Sequence, residues 1–317
     1  MSGFVEIVWS VVDIDRACAA MVDVAGYQRH DLPYATPEEL AYWNVPGCTG
    51  IAQAMLTAPG ETKGSLRLVS FQGCRRQPIR PSQRTWDSGG IFDLDLFARD
   101  ARGIYDALVE RHGWTAFGNP VDYVMGAFDV TQVVARGPDG LVLAIIEPRQ
   151  AVEIALPPAD RLTRIFNSTQ LVRDVGDAIA FYTDVLGWKV MMDMVIDDAV
   201  EPGADVLGLP MPYARAVRRR VAIVHPEGRN DGSVELIEID FAGEDYAERA
   251  VAPNIGLLAL RVPVDDVASL AAQVAGCGHA LHTPPTLVDV AAIGRTLLFS
   301  VRTPDGAIIE FFEAGGA

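Results

Sequence analysis

Basic residues are scarce in this chain. Lys and Arg number 26 against 42 Asp and Glu, giving a formal net charge of −16. That balance argues against nucleic acid as a partner, because phosphates need a basic face. It also opposes adsorption to an anionic membrane surface. No apolar run reaches the ~18 residues of a membrane-spanning helix. The opening Met-Ser-Gly-Phe-Val-Glu has neither the basic nor the apolar region of a secretion signal, so a cytoplasmic location is expected. The four cysteines (Cys18, Cys48, Cys74, Cys277) lack metal or redox spacing, and Cys18 and Cys277 read as small hydrophobes. No long biased tract points to disorder.

The 317 residues are half hydrophobic, enough for about two domains with packed cores. A repeat organises them. Asp174 is a natural helix N-cap. Ala178, Phe181, Tyr182, Val185 and Leu186 then form one apolar stripe, and Gly187 supplies the left-handed residue that closes a helix. The same thirteen-residue spacing recurs from Asp13 to Gly26, Asp100 to Gly113 and Asp265 to Gly278. Each Asp follows a strand-like run and each Gly precedes another, so the chain predicts four strand-helix-strand modules.

Strand-like runs lie at Phe4–Val12, Ser65–Phe71, Gly90–Phe97, Thr131–Ala135, Leu141–Ile146, Arg219–Val224, Ser233–Ile239, Asn254–Val262 and Thr296–Val301, with clean period-two alternation at Gly90–Phe97. Pro138-Asp-Gly140 and Pro304-Asp-Gly306 mark matching hairpin turns in modules two and four. Residues 27 to 62 read as irregular, with aromatics at Tyr34, Tyr42 and Trp43. The arginines between Arg75 and Arg84 read either as a solvated connector or as an anion site. Pro148 to Arg161 reads as a linker. The expected domains are therefore 1–148 and 160–317, two modules each.

The pattern Val172-Arg-Asp174, Phe181-Tyr182, Leu186-Gly187, with Pro304-Asp-Gly306 before Ile309-Glu310-Phe311, resembles the vicinal oxygen chelate superfamily. That group includes glyoxalase I, methylmalonyl-CoA epimerase, extradiol ring-cleaving dioxygenases and bleomycin-resistance proteins. The resemblance implies an α+β fold of four βαβββ modules paired into two cupped mixed β-sheets with helices outside. It also implies metal ligands on the first and last strand of each module. By register these positions hold Asn167, Glu235, Leu257 and Glu310 in the C-terminal half, and Glu6, Arg67, Ile91 and Ala144 in the N-terminal half. None is histidine, which argues against the two-imidazole site of a ferrous dioxygenase. Of the five histidines, His225 lies closest in sequence to Glu235, as either a ligand or a packing residue.

Two chemistries remain for the C-terminal cup. Asn167, Glu235 and Glu310 would make an all-oxygen set for one divalent metal, such as Mn²⁺, Mg²⁺ or Ni²⁺, polarising a carbonyl. Without a metal, Glu235 and Glu310 would form an acid–base pair, since converging carboxylates push their pKa values apart. Either implies a lyase or isomerase acting beside a carbonyl. The bland reading pairs the two glutamates with Arg164, Arg261 or Arg295. In the N-terminal cup, Asp93 and Asp95 share a strand face, and with Trp43 and Tyr123 they would bind a small molecule. Trp9, Trp86 and Phe92 are further aromatics there, unless they are plain core. The alternative function is therefore a metal-free ligand-binding or resistance-type protein. Because each cup could close within one chain, monomer and homodimer both remain open.

Overall fold

The computed structural model describes residues 2–82, 84–125, 128–196, 205–214 and 216–314. Module one comprises β1 (Glu6–Ser10), α1 (Ile14–Asp23), β2 (Gln28–Leu32), α2 (Pro37–Trp43), β3 (Gly50–Thr57) and β4 (Ser65–Gln72). Module two adds β5 (Asp93–Phe97), α3 (Ala101–His112), β6 (Thr115–Ala116), β7 (Val121–Met125), β8 (Phe128–Arg136) and β9 (Val142–Pro148). Module three contains β10 (Asn167–Val172), α4 (Val175–Ala180) with a π turn at Phe181–Val185, β11 (Lys189–Ile196), α5 (Met211–Ala214), β12 (Arg219–His225) and β13 (Ser233–Ile239). Module four closes the order with β14 (Gly256–Val264), α6 (Val267–Gly276), β15 (Leu281–Val290), β16 (Gly294–Arg302) and β17 (Ile308–Glu313).

The capped helices form as their sequences predict. Asp13, Asp100 and Asp174 each accept the backbone N–H three residues on, at 3.0, 2.8 and 3.0 Å. The fourth cap is Asp266 rather than Asp265, accepting from Ser269 at 2.8 Å. Residues 27 to 62 are not irregular: they hold β2, α2 and β3. Thr36 caps α2, with Pro37 preset at its first position.

The sheets join modules crosswise. One has the order β15-β16-β17-β14-β1-β4-β3-β2, the other β11-β12-β13-β10-β5-β9-β8-β6. Module one therefore shares a sheet with module four, and module two with module three. The expected closure of a cup within 1–148 and another within 160–317 does not occur. The first strands of the modules make the joins, β1 antiparallel to β14 and β5 antiparallel to β10. The connectors on either side of modules two and three explain the crossing. They carry the chain between sheets side by side, bridged at Pro78 with Ile255 and Ser88 with Asp245.

Consecutive modules still touch through the Pro-Asp-Gly turns. Asp139 accepts from the Val12 amide at 2.9 Å, and Asp305 from the Arg173 amide at 3.0 Å. Helices α1, α3, α4 and α6 cover one face of the sheets over a core drawn from all four modules, including Trp9, Met21, Leu108, Tyr182 and Phe311. The Arg75–Arg84 connector is tied down by its own arginines. Arg76 donates to the Val11 carbonyl, Arg80 to the carbonyls of Gly89 and Asp87, and Arg84 to the Asp87 carboxylate.

Candidate functional site

The β1/β14 cup is filled. Cross-strand register sets Glu6 opposite Arg261 and Arg261 opposite Glu310. Arg261 Nε donates to Glu310 and Nη1 to Glu6, both at 2.7 Å, while Arg67 Nε donates to Glu6 at 2.8 Å. Arg67 Nη1 reaches Gln53 at 2.9 Å, and Gln53 reaches Glu39 on α2 at 2.8 Å. Burial alone would raise Glu6, but the two guanidiniums outweigh it and hold its carboxyl below the usual range. Trp43, on the same helix, stands edge-on to Phe71. Helix α2 thus occupies the space a ligand would need. Glu310 pairs with Arg261, and Trp43 sits in this cup, away from Tyr123.

The β5/β10 cup is open. A cavity of about 600 Å³ lies over its sheet, lined by Asp93, Asp95, Tyr123, Asn167, Thr169 and Glu235 and walled by apolar side chains such as Phe128, Ile146, Met194 and Ile223. Strand register assembles the polar floor. Thr169 stands opposite Asp93 on β5 and beside Glu235 on β13, and Asn167 stands opposite Asp95. Asp93, Thr169 and Glu235 therefore form one row across three strands, with Asp95 and Asn167 in the next row. Thr169 donates to Glu235 Oε2 at 3.1 Å. Asp93 Oδ1 is buried and has no hydrogen-bond partner among the described residues.

Electrostatics set this trio apart. Burial pushes Asp93 up to about 7, offset in part by Thr169 and Arg80. Burial and repulsion from Asp93 raise Glu235 to about 7 as well. Asp95, buried beside both, is held well above the carboxylate range by burial and then by their charges. At neutral pH the floor can hold proton-bearing and proton-free carboxyls together. Burial and the same three carboxylates keep the Tyr123 phenol neutral, donating to Gln132.

The resemblance implies a metal, and the expected ligands can be tested against the geometry. Asn167 and Glu235 line this cup, but Glu310 belongs to the other sheet, so the set is not assembled. Among the described residues no group of three His, Cys, Asp or Glu could hold a metal ion. The described residues do not fit a metal centre, and no step below runs through one. His225 is a packing residue: its Nδ1 accepts the amides of Glu227 and Arg229 at 2.9 and 3.1 Å. Trp9 is core, and Trp86 and Phe92 pack against Phe241 and Phe117. Ile91 also lies in the core under the helices.

Sequence reasoning missed Thr169 and Arg219. Both were accessible by counting alternate residues, from Asn167 along β10 and back from Ile223 and Val221 along β12.

Residues 164–311 match the model of the Glyoxalase/Bleomycin resistance protein/Dioxygenase superfamily. No curated protein matches the chain in sequence. Among solved structures, glyoxalase I from Zea mays is similar at 16% identity, over 99% of this chain and 93% of that one, with a TM-score of 0.64. A Bacillus subtilis protein provisionally described as a dioxygenase is similar at 13% identity, over 100% and 86%, with a TM-score of 0.58. At such identities these two likenesses speak for the fold alone. The matched segment, residues 164–311, therefore carries the pattern of the Glyoxalase/Bleomycin resistance protein/Dioxygenase superfamily, and the four repeated modules and two cupped sheets give the whole chain a similar fold.

Proposed function

We propose that the protein is a small-molecule enzyme, an isomerase or lyase, that moves a proton beside a carbonyl in the β5/β10 cup. The observation that carries this reading is the trio Asp93, Asp95 and Glu235 at the floor of an apolar cavity, two of them titrating near neutrality. A base poised near the working pH is the efficient one. Paired carboxyls with displaced pKa values supply acid and base together.

In this reading Glu235, steadied by Thr169, is the base. It takes the proton from the carbon next to the carbonyl, and the C–H electron pair moves into the C=O group. The enolate oxygen then accepts a hydrogen bond from Asp95, which enters the step protonated. Where the deprotonated carbon bears a hydroxyl, the enolate oxygen takes a proton from Asp95, and the hydroxyl gives its proton back to Asp95 as its oxygen becomes the new carbonyl. Glu235 returns its proton to the former carbonyl carbon, which completes an isomerisation. Where the carbon β to the carbonyl bears a leaving group, the enolate re-forms the C=O bond, a double bond forms between the α and β carbons, and the group departs with its bonding pair, which completes a lyase step instead. Asp93 buffers the site by exchanging its proton with solvent and with its neighbours.

The test is deuterium incorporation from D₂O, followed by NMR, into a panel of small ketones, hydroxyaldehydes and 2-oxo acids. Glu235→Gln should slow the exchange about 10²- to 10⁴-fold, with the fold unchanged by circular dichroism. Exchange that persists in Glu235→Gln and Asp95→Asn would sink the assignment. Tight binding of these compounds without any exchange would instead establish the metal-free binding protein.

A further inference from the structure

The cup has a second pole. Arg219 lies on β12 with Val221 and Ile223 at alternate positions, and all three line the cavity. Its side chain is 8% exposed. Nη1 stands 3.5 Å from Asp205 Oδ1, the one ion pair the guanidinium makes among the described residues. That carboxylate is already shared, accepting the Leu207 amide at 3.0 Å and the Leu209 amide at 2.9 Å. Nε and Nη2 are buried and have no hydrogen-bond partner among the described residues. These two nitrogens form the edge of a guanidinium whose parallel N–H bonds match the two oxygens of a carboxylate. Leaving that fork dry and unpaired is costly, so its natural complement is an anion brought by the ligand.

We infer that Arg219 is the anion-recognition residue of this cup and that the ligand is an elongated monocarboxylate with an apolar middle. The inference rests on the proposed proton-transfer site for the identity of the ligand's far end. Glu235 stands opposite Ile223, four residues along β12 from Arg219. At ~3.3 Å per residue the two rows lie roughly 13 Å apart. Val221, Ile223 and Ile237 span the interval. The carboxylate docks on the Arg219 fork, a chain of several carbons crosses the apolar wall, and the reacting carbonyl reaches the acidic floor.

The probe is 7-oxooctanoate, with its neutral methyl ester as control, titrated calorimetrically at pH 6. The wild-type protein should bind the acid at least tenfold tighter than the ester. Arg219→Met should bind both alike, and Arg219→Lys, which keeps the charge but not the fork, should retain only part of the preference. Equal binding of acid and ester by the wild-type protein would overturn the inference without recourse to a variant. So would a preference that survives in Arg219→Met, or no binding of either probe at millimolar concentration. Glu235→Gln separates the two proposals. A preference for the acid that persists there supports the slot whether or not proton exchange is seen. Exchange in a protein with no preference removes the slot and leaves the chemistry standing.

Discussion

Asp93 keeps its proton far above the pH at which an exposed aspartate loses it, because ionising it would place a charge in a dry cup beside two other carboxyls. The folded pKa, about 7, lies above the ordinary 3.8, so the folded state binds the proton more tightly than the unfolded chain. The associated stability is fully present below about pH 4 and is lost as pH rises through 7, by on the order of a few kcal/mol. Asp93→Asn removes the penalty. It should unfold at about the same temperature as the wild type near pH 4 and at a higher one at pH 8, at the expense of activity. Parallel thermal-unfolding profiles for the two proteins across that range would show that Asp93 is ordinary. At this scale the sequence was partly legible. Alternation placed Asp93 and Asp95 on one face, and register from the helix cap brought Glu235 to a cup. What alternation cannot supply is the partner strand, so Thr169 between Asp93 and Glu235 went unseen, and Glu310 was set beside Glu235.

Among the elements, α2 decides which cup can work. An ionic chain runs from Glu310 on β17 through Arg261, Glu6, Arg67 and Gln53 to Glu39 on α2, crossing β14, β1, β4 and β3. Removing one end of a buried pair leaves the other charge uncompensated, typically at 3–5 kcal/mol. Glu310→Ala should therefore lower stability by about that much in urea unfolding while leaving binding of 7-oxooctanoate in the other cup intact. Weakened binding with little change in stability would return Glu310 to the functional site. The start signal for α2 was written in Thr36-Pro37-Glu38-Glu39, a cap residue, a preset proline and two acids. Seven residues carry too little periodicity to register against the prolines and glycines around them.

For the whole molecule, the four modules were legible because each repeats its cap, stripe and glycine. Their partners were not, because every module offers a similar first-strand edge and nothing local says which edges meet. The connectors decide it, and their pairing is a long-range contact. Since each sheet draws on both halves, 1–148 and 160–317 made separately should each expose an unpaired β1/β5 or β10/β14 edge. We expect neither to be a stable monomer alone and the two to associate one to one when mixed or co-expressed, as read by light scattering. Two independently folded monomers that ignore each other would contradict the crosswise sheets.

The crosswise pairing also imposes an order on synthesis. The β5/β10 sheet has all its strands once β13 has left the ribosome, whereas β1 waits for β14, some 250 residues behind it. Through that interval the nascent first module presents an open strand edge, the kind that captures stray strands. Glu6 and Arg67 put charge on its cup face, which makes an apolar intruder a poor match, and Arg261 completes the ionic chain only when the proper strand arrives. The same residues that keep this cup from binding a ligand guard it while it is unfinished.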